Sequence, residues 1–179
     1  EEPQVSIMQQ GLVVSKSLLE KEALNVLYYV VRHGGEVLFA VEDGGFQTVS
    51  QFIVASLLDL TEEEPTIFRN PAHQKMLDEA SAFGATDAVN VSRYFTNHID
   101  PTISAIAADL MTDKYVLSRM HTKHEEFVGA PKANPREYEE YLVQREKERK
   151  ETLAREIFTV IHEYKAAIIC DKEREVDLQ

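Results

Sequence analysis

Two histidines and two glutamates lie within six residues of the sequence, at His121, His124, Glu125 and Glu126. Imidazoles three residues apart share one face of a helix, and imidazole nitrogens with a carboxylate are ligands that Zn²⁺ accepts. A metal-dependent enzyme that uses His121, His124 and Glu125 is therefore one hypothesis for this chain. No distant histidine pair or cysteine completes the ligand set, and Lys123 adds a competing positive charge. A solvated helix surface is the favoured interpretation.

The other residues that could do chemistry are scattered. The acidic run Glu62–Glu64 is typical of a hydrated loop, because adjacent carboxylates on one loop are usually solvated. The single cysteine, Cys170, excludes an internal disulfide and a cysteine-based zinc cluster, and its neighbours Ala167, Ile168 and Ile169 suggest that it is packed. The sequence has no glycine-rich phosphate loop and no nucleophile elbow. We therefore expect no catalytic residue, no cofactor and no bound metal.

The charge of the chain disfavours direct binding of nucleic acid. Its 19 Lys and Arg stand against 31 Asp and Glu, and the net charge of −12 repels a phosphate backbone. No stretch reaches the roughly 18 uninterrupted apolar residues of a membrane helix, so we expect a cytoplasmic protein without a membrane partner. The chain begins with Glu1-Glu2-Pro3 and has no initiator methionine, which suggests a piece of a longer protein.

Capping residues followed by apolar residues at helical spacing predict six short helices before residue 131. The first spans residues 15–34, with a capping-box pattern at Ser17 and Glu20 and a stop at Gly34-Gly35. The segment 36–41 is predicted to be mostly loop, because no second strand is evident to pair with it. The other five helices begin at Thr48, at Asn70-Pro71, at about residue 88, at Asp100-Pro101 and at Asp113.

A long helix is predicted after a break at Gly129, Pro131 and Pro135. Nothing from residue 135 to about residue 172 would interrupt it, which gives a span of roughly 55 Å. The polar run 144–152 is either solvent-bridging, held by ion pairs between its side chains, or broken by a turn. The predicted fold is all-α, a bundle of about six short helices followed by a long C-terminal helical arm. The predicted organisation is a tail at 1–14, a bundle at 15–130, and a hinge with the long helix at 131–179.

The arm carries two apolar patches that the predicted bundle does not cover. Apolar anchors at three- and four-residue spacing can lie in a groove between the helices of a partner. The expected partner contacts are Tyr138, Tyr141, Leu142, Leu153, Ile157 and Ile161. The function class that this pattern favours is a non-catalytic binding module. A self-associating adaptor, in which two arms pair with each other, is the alternative.

Three runs of sequence stand out: YFTNHIDPTISAIAADL at 94–110, DKYVLSRM at 113–120 and FRNPAHQKML at 68–77. The first two resemble the C-terminal region of bacterial replicative DNA primases of the DnaG type, in the form found in the Bacteroides group. The third resembles the segment that precedes them in that family. Residues 15–60 match more weakly in the same order of elements, and IHEYKAAII at 161–169 resembles the family's connecting helix only loosely.

The resemblance implies a helical bundle that contacts the N-terminal domain of the hexameric replicative helicase of the DnaB type. The expected function is thus to couple primer synthesis to the helicase at the replication fork, with catalysis in the parent chain only. In that family a terminal helical hairpin makes much of the contact with the helicase. After Ile169 only ten residues remain, too few for two more helices, so the hairpin is expected to be missing from this chain.

Overall fold

The computed structural model describes residues 7–40, 44–58, 66–84, 89–112 and 135–177. Within these ranges it contains six α-helices and a two-stranded sheet. The elements in chain order are α1 (Ile7–His33), β1 (Val37–Ala40), β2 (Phe46–Thr48), α2 (Val49–Leu58), α3 (Pro71–Ala82), α4 (Val91–Thr96), α5 (Pro101–Met111) and α6 (Pro135–Asp177). The prediction of a largely all-α fold with a long C-terminal helix is confirmed.

Helix α1 lies at the centre of the described bundle. Its residues Val26, Leu27 and Val30 are fully buried, and each of the other five described helices packs against it. The helix begins at Ile7 rather than at residue 15, so the capping pattern at Ser17 and Glu20 does not mark its start. The segment 7–14 contains one glycine and no proline, and nothing in it stops a helix from continuing towards the N-terminus.

The prediction of a loop at 36–41 is wrong, because β1 pairs with β2 in an antiparallel hairpin. Val37 lies opposite Thr48 and Ala40 lies opposite Phe46. Gly44, between the strands, has a φ of 80°, a conformation that glycine adopts without steric cost. The partner strand is only three residues long and ends at the cap of α2, so it leaves no alternating pattern in the sequence.

The predicted caps of α2, α3 and α5 are confirmed. In α2 the Gln51 amide N–H donates to Thr48 Oγ1 at 3.3 Å, and the Thr48 amide N–H donates to Gln51 Oε1 at 3.1 Å. Asn70 Oδ1 accepts from the Ala72 amide and Asp100 Oδ1 from the Thr102 amide, both at 2.9 Å. The predicted helix from Asp113 and the break at residues 129–134 lie outside the described residues.

Helix α6 is continuous through the polar run 144–152, so that run is not broken by a turn. Its 43 residues correspond to a length of about 65 Å. It packs antiparallel to α1: Tyr29, near the end of α1, donates through Oη to Glu156 Oε2 at 3.2 Å, whereas Tyr164 lines a cavity with Leu19, nearer the start of α1. Among the described helices, none combines the length and the apolar content that crossing a bilayer requires.

Candidate protein-docking surface

Three of the six residues predicted to contact a partner belong to the protein's own core. Leu153, Ile157 and Ile161 are buried on the face of α6 that packs against α1 and α2. The expectation that they form an exposed patch on a free arm is therefore wrong. The physical reason is that the bundle lies along the C-terminal half of α6 and removes this apolar stripe from water.

The other three residues lie on the N-terminal half of α6, residues 135–152, which we call the overhang. Tyr138 is 45% exposed and Leu142 is 47% exposed, while Tyr141 is half-buried. Their spacing of three and four residues places them on one face of the helix. Val143, which the sequence analysis did not single out, is 71% exposed on the neighbouring face. The overhang thus presents a compact apolar group in an otherwise charged segment.

Arg149 connects the overhang to the bundle. Its guanidinium donates to Glu36 Oε2 at 2.8 Å and to Glu146 Oε1 at 2.9 Å. The His33 ring contributes a second hydrogen bond to Glu36, at 2.6 Å. Burial alone would raise the pKa of Glu36, but the hydrogen bonds with Arg149 and His33 outweigh it and hold that pKa below its ordinary value. This network fixes the direction in which the overhang leaves the bundle.

Ion pairs also accompany the polar run of the overhang. Lys150 Nζ lies 3.8 Å from Glu146 Oε1, and Lys147 Nζ lies 4.0 Å from Glu151 Oε1. Pairs three or four residues apart give an exposed helix modest support. Supported by such pairs, the apolar group at 138–142 can stay helical without a hydrophobic partner in the described part of the bundle.

A second exposed surface lies where the hairpin meets α2 and α6. The rings of Phe39 and Phe52 stack with centroids 3.7 Å apart, and Phe158 meets both edge-on at 5.9 Å and 5.3 Å. Phe158 is partly exposed, and so is Phe46 on the adjacent strand. The sequence did not predict this hairpin aromatic cluster, because the segment of β1 reads as a loop. The only signal was the density of phenylalanines between residues 39 and 52.

A shallow cleft beside α4 is a third surface with binding character. It has a volume of about 610 Å³, and Tyr94, His98 and Ile99 are among the residues that line it. Tyr94 Oη donates to Glu79 Oε2 at 3.2 Å, and His98 Nε2 lies 3.0 Å from the same oxygen. Desolvation, followed by the charge of Glu79, raises the pKa of Tyr94, so its phenol stays protonated. Ile99 is 95% exposed, which suits contact with a partner.

A cavity of about 470 Å³ lies between α1, the start of α3 and α6. Leu19, Phe68 and Tyr164 form much of its apolar wall, and Arg69 and His73 supply polar groups. The Arg69 guanidinium is already paired with the Asp171 carboxylate at 2.6 Å. His73 is buried, and its burial lowers the pKa of the imidazole. An uncharged imidazole beside apolar walls indicates a packing role rather than proton transfer.

Because its pKa is lowered in the folded state, His73 should make stability depend on pH. The unfolded chain binds the proton at about pH 6.5 and the folded chain only at lower pH. This contribution to stability is therefore full above about pH 6.5 and is lost as the pH falls through the folded pKa. We expect His73→Gln to reduce the loss of unfolding free energy between about pH 7.5 and about pH 5.5, measured by urea denaturation. His162→Gln, at an exposed position of α6, is the matched control for the substitution itself and should leave the unfolding free energy at about pH 7.5 close to that of wild type.

The metal hypothesis concerns residues that the structure does not describe. Among the described residues, no group of three or more His, Cys, Asp or Glu side chains could hold a metal ion. His121, His124 and Glu125 lie outside the described residues, as does the run Glu62–Glu64. Cys170 is exposed, which corrects the expectation that it is packed. On this part of α6 the buried positions are Ala167 and Asp171, so Cys170 points to solvent.

Comparison with known proteins places the chain in a family. The family model for a domain of unknown function, DUF8430, matches residues 12–179. The chain belongs to the DUF8430 family. No curated protein and no solved structure matches it.

The match to DUF8430 includes the elements that form the overhang and its base. It extends from within α1 through the hairpin and α2 to the end of α6. In this DUF8430 chain the described surfaces with binding character are the overhang, the hairpin aromatic cluster and the cleft beside α4. Of these, the overhang presents its apolar side chains on a single extended helix, the geometry that a groove between two helices accepts.

Proposed function

We propose that this chain is a non-catalytic protein-docking domain of a replicative DNA primase. In this proposal the overhang binds the N-terminal domain of the replicative helicase and so couples primer synthesis to unwinding at the fork. The observation that carries the docking role is the exposure of Tyr138 and Leu142 on one face of a helix beyond the bundle. The choice of the helicase as the partner rests on the resemblance at 94–110.

The segment that resembles the primase family lies mainly in the core of the bundle, so the resemblance concerns the scaffold. Phe95, Ile103, Ala107 and Leu110 are buried and Asp100 caps α5, so the run at 94–110 contributes mainly to the packing of the bundle. A resemblance that rests on buried residues indicates a similar scaffold. The residues that choose a partner would then lie on the exposed surfaces, where the overhang is the most extended.

Charge gives the proposal a second support. With a net charge of −12, the chain is repelled by nucleic acid and suits an encounter with a protein surface that carries basic residues. Such charges mainly set the association rate and the orientation of docking, while buried apolar anchors set the dissociation rate. We therefore expect salt to slow association with the helicase domain more than it speeds dissociation.

Titration of the helicase N-terminal domain with this chain tests the proposal. We expect binding by the wild-type chain and a loss of at least about 30-fold in affinity for Leu142→Asp, because truncating a central anchor typically costs 2 kcal/mol or more. Val143→Asp is the matched control: it adds the same charge at an exposed position on the neighbouring face and should stay within about threefold of wild type.

Three results would contradict the proposal. If neither this chain nor one extended past Gln179 binds the helicase domain, the primase function is wrong. If only the extended chain binds, or if Leu142→Asp and Val143→Asp bind equally well, the contact does not involve the overhang. Circular dichroism of both variants should match wild type, because neither side chain is buried.

A further inference from the structure

One half of the overhang is acidic and the other half is basic. Two copies of the overhang are therefore complementary in charge when they run in opposite directions. Residues 135–143 contain one arginine and three glutamates, for a net charge of −2. Residues 144–152 contain two arginines and two lysines against three glutamates, for a net charge of +1. Two such segments laid side by side in opposite directions bring each acidic half against a basic half. A parallel arrangement would instead place like halves together.

The face between these charges can pack against its own copy. Tyr138, Leu142, Arg145 and Arg149 follow one another at spacings of four, three and four residues, which forms one stripe along the helix. In an antiparallel pair, Leu142 of one copy faces Arg145 of the other, and Tyr138 lies against the stem of Arg149, whose guanidinium binds Glu36 of its own bundle. Arginine stems cover apolar surface, and guanidinium groups stack on aromatic rings. Arg145 already does so within one chain, 4 residues from Tyr141, with its guanidinium carbon 5.8 Å from the centre of that ring.

The flank of this stripe supplies a specific ion pair. Glu139 and Lys150 each follow a stripe residue by one position, so they lie on the same side of the helix and near opposite ends of the overhang. Both are exposed. Antiparallel pairing brings Glu139 of one copy close to Lys150 of the other, and twofold symmetry makes this contact twice. The present pairing of Lys150 with Glu146, at 3.8 Å in solvent, is weak enough to be shared or replaced.

We infer that the overhangs of two copies of this chain pair antiparallel, and that the dimer covers Tyr138 and Leu142. The bundles then lie at opposite ends of the paired segment, because α6 buries its side chains in its own bundle from Leu153 onwards and first meets that bundle where Arg149 binds Glu36. A pair of helices of this length buries less surface than the roughly 1,200 Å² of a stable interface, so the dimer should be weak and dependent on concentration. If the proposed function holds, self-pairing and helicase docking use the same surface and compete.

Sedimentation equilibrium of the full chain tests the inference. We expect the apparent mass to rise from the monomer value of 20.4 kDa towards twice that value as the concentration increases from about 10 µM to about 500 µM. Glu139→Lys and Lys150→Glu should each weaken dimerisation about tenfold, since each turns two attractions into repulsions. The double variant, which restores the pair with its signs exchanged, should recover to within about threefold of wild type.

Each outcome either supports the inference or overturns it. A wild-type chain that stays monomeric at about 500 µM overturns self-pairing, as does a double variant that remains a folded monomer while wild type dimerises. The helicase titration tests a separate claim. A dimer that does not bind the helicase supports self-pairing and contradicts the proposed function. A monomer that binds the helicase supports the proposed function and contradicts self-pairing. Circular dichroism of the three variants checks that all of them remain folded.

Discussion

Ile157→Asp is expected to unfold the domain. The Ile157 side chain is 1% exposed and belongs to the hydrophobic core that joins α6 to α1. Loss of a buried isoleucine side chain costs about 2–5 kcal/mol, and placing an unpaired carboxylate in apolar surroundings costs several more. Together these approach the whole stability of a domain, which is about 5–15 kcal/mol. Loss of the helical circular-dichroism signal at room temperature, or a large fall in the denaturation midpoint, would be the measured result.

A matched control separates burial from the added charge. Thr159→Asp introduces the same carboxylate two residues later, on the exposed side of α6, and removes only a hydrogen bond from Thr159 Oγ1 to the Arg155 carbonyl. We expect it to change the unfolding free energy by less than about 1 kcal/mol. Equal stability of Ile157→Asp and Thr159→Asp would show that this face of α6 does not pack on α1. The sequence alone placed Ile157 among the expected partner contacts; in this structure Ile157→Asp tests the core instead.

The capped helix starts could be predicted because each depends on a few adjacent residues. The cap at Asn70 is a hydrogen bond to a backbone amide two residues later, and Pro71 has a backbone angle that already suits the first helical position. The same holds for Asp100 and for Thr48 with Gln51. Such signals can be found in the sequence without knowing the rest of the fold. The start of α1 could not be predicted in this way, since a possible cap at Ser17 does not force a helix to begin there.

The division of α6 into a buried half and an overhang could not be predicted. Tyr138 and Ile157 are both apolar, both lie at helical spacing and both belong to the same helix. What distinguishes them is where the bundle ends along α6, and that depends on contacts between residues far apart in sequence, such as Arg149 with Glu36 and Tyr29 with Glu156. Sequence periodicity identifies an apolar face but does not show which part of it another element covers.

The β1–β2 hairpin could not be predicted for a related reason. The hairpin is important because it forms the base of the overhang. A three-residue strand has too few positions to show the alternation of a half-buried strand. Glu36, just before β1, accepts through its backbone carbonyl from the Val49 amide at 2.9 Å and through its side chain from Arg149. The hairpin therefore ties the end of α1, the start of α2 and the overhang together at one point.

Gly34→Ala is expected to disrupt this junction. A Cβ at residue 34 would lie 2.2 Å from the Val30 carbonyl oxygen and 2.4 Å from Ser50 Oγ. The Ser50 amide donates to the Gly34 carbonyl at 3.1 Å, so the starts of α2 and of the hairpin are held against this glycine and cannot retreat without losing that bond. Ser50 is itself fully buried. We expect a loss of about 3 kcal/mol or more in unfolding free energy, because backbone must move to relieve the overlap.

Gly45→Ala is the matched control for Gly34→Ala, and the pair also tests how the overhang is supported. A Cβ at residue 45 would meet nothing within 4 Å, so this substitution should be neutral or stabilise by up to about 0.5 kcal/mol through the unfolded chain. Urea denaturation of both variants measures the difference, and equal midpoints would mean that α1 and α2 do not approach closely at Gly34.

Where Gly34→Ala remains folded, displacement of Glu36 should loosen its contact with Arg149. Hydrogen exchange should then rise in the overhang, near Arg149, before it rises near Ile157, since the bundle still covers the second half of α6.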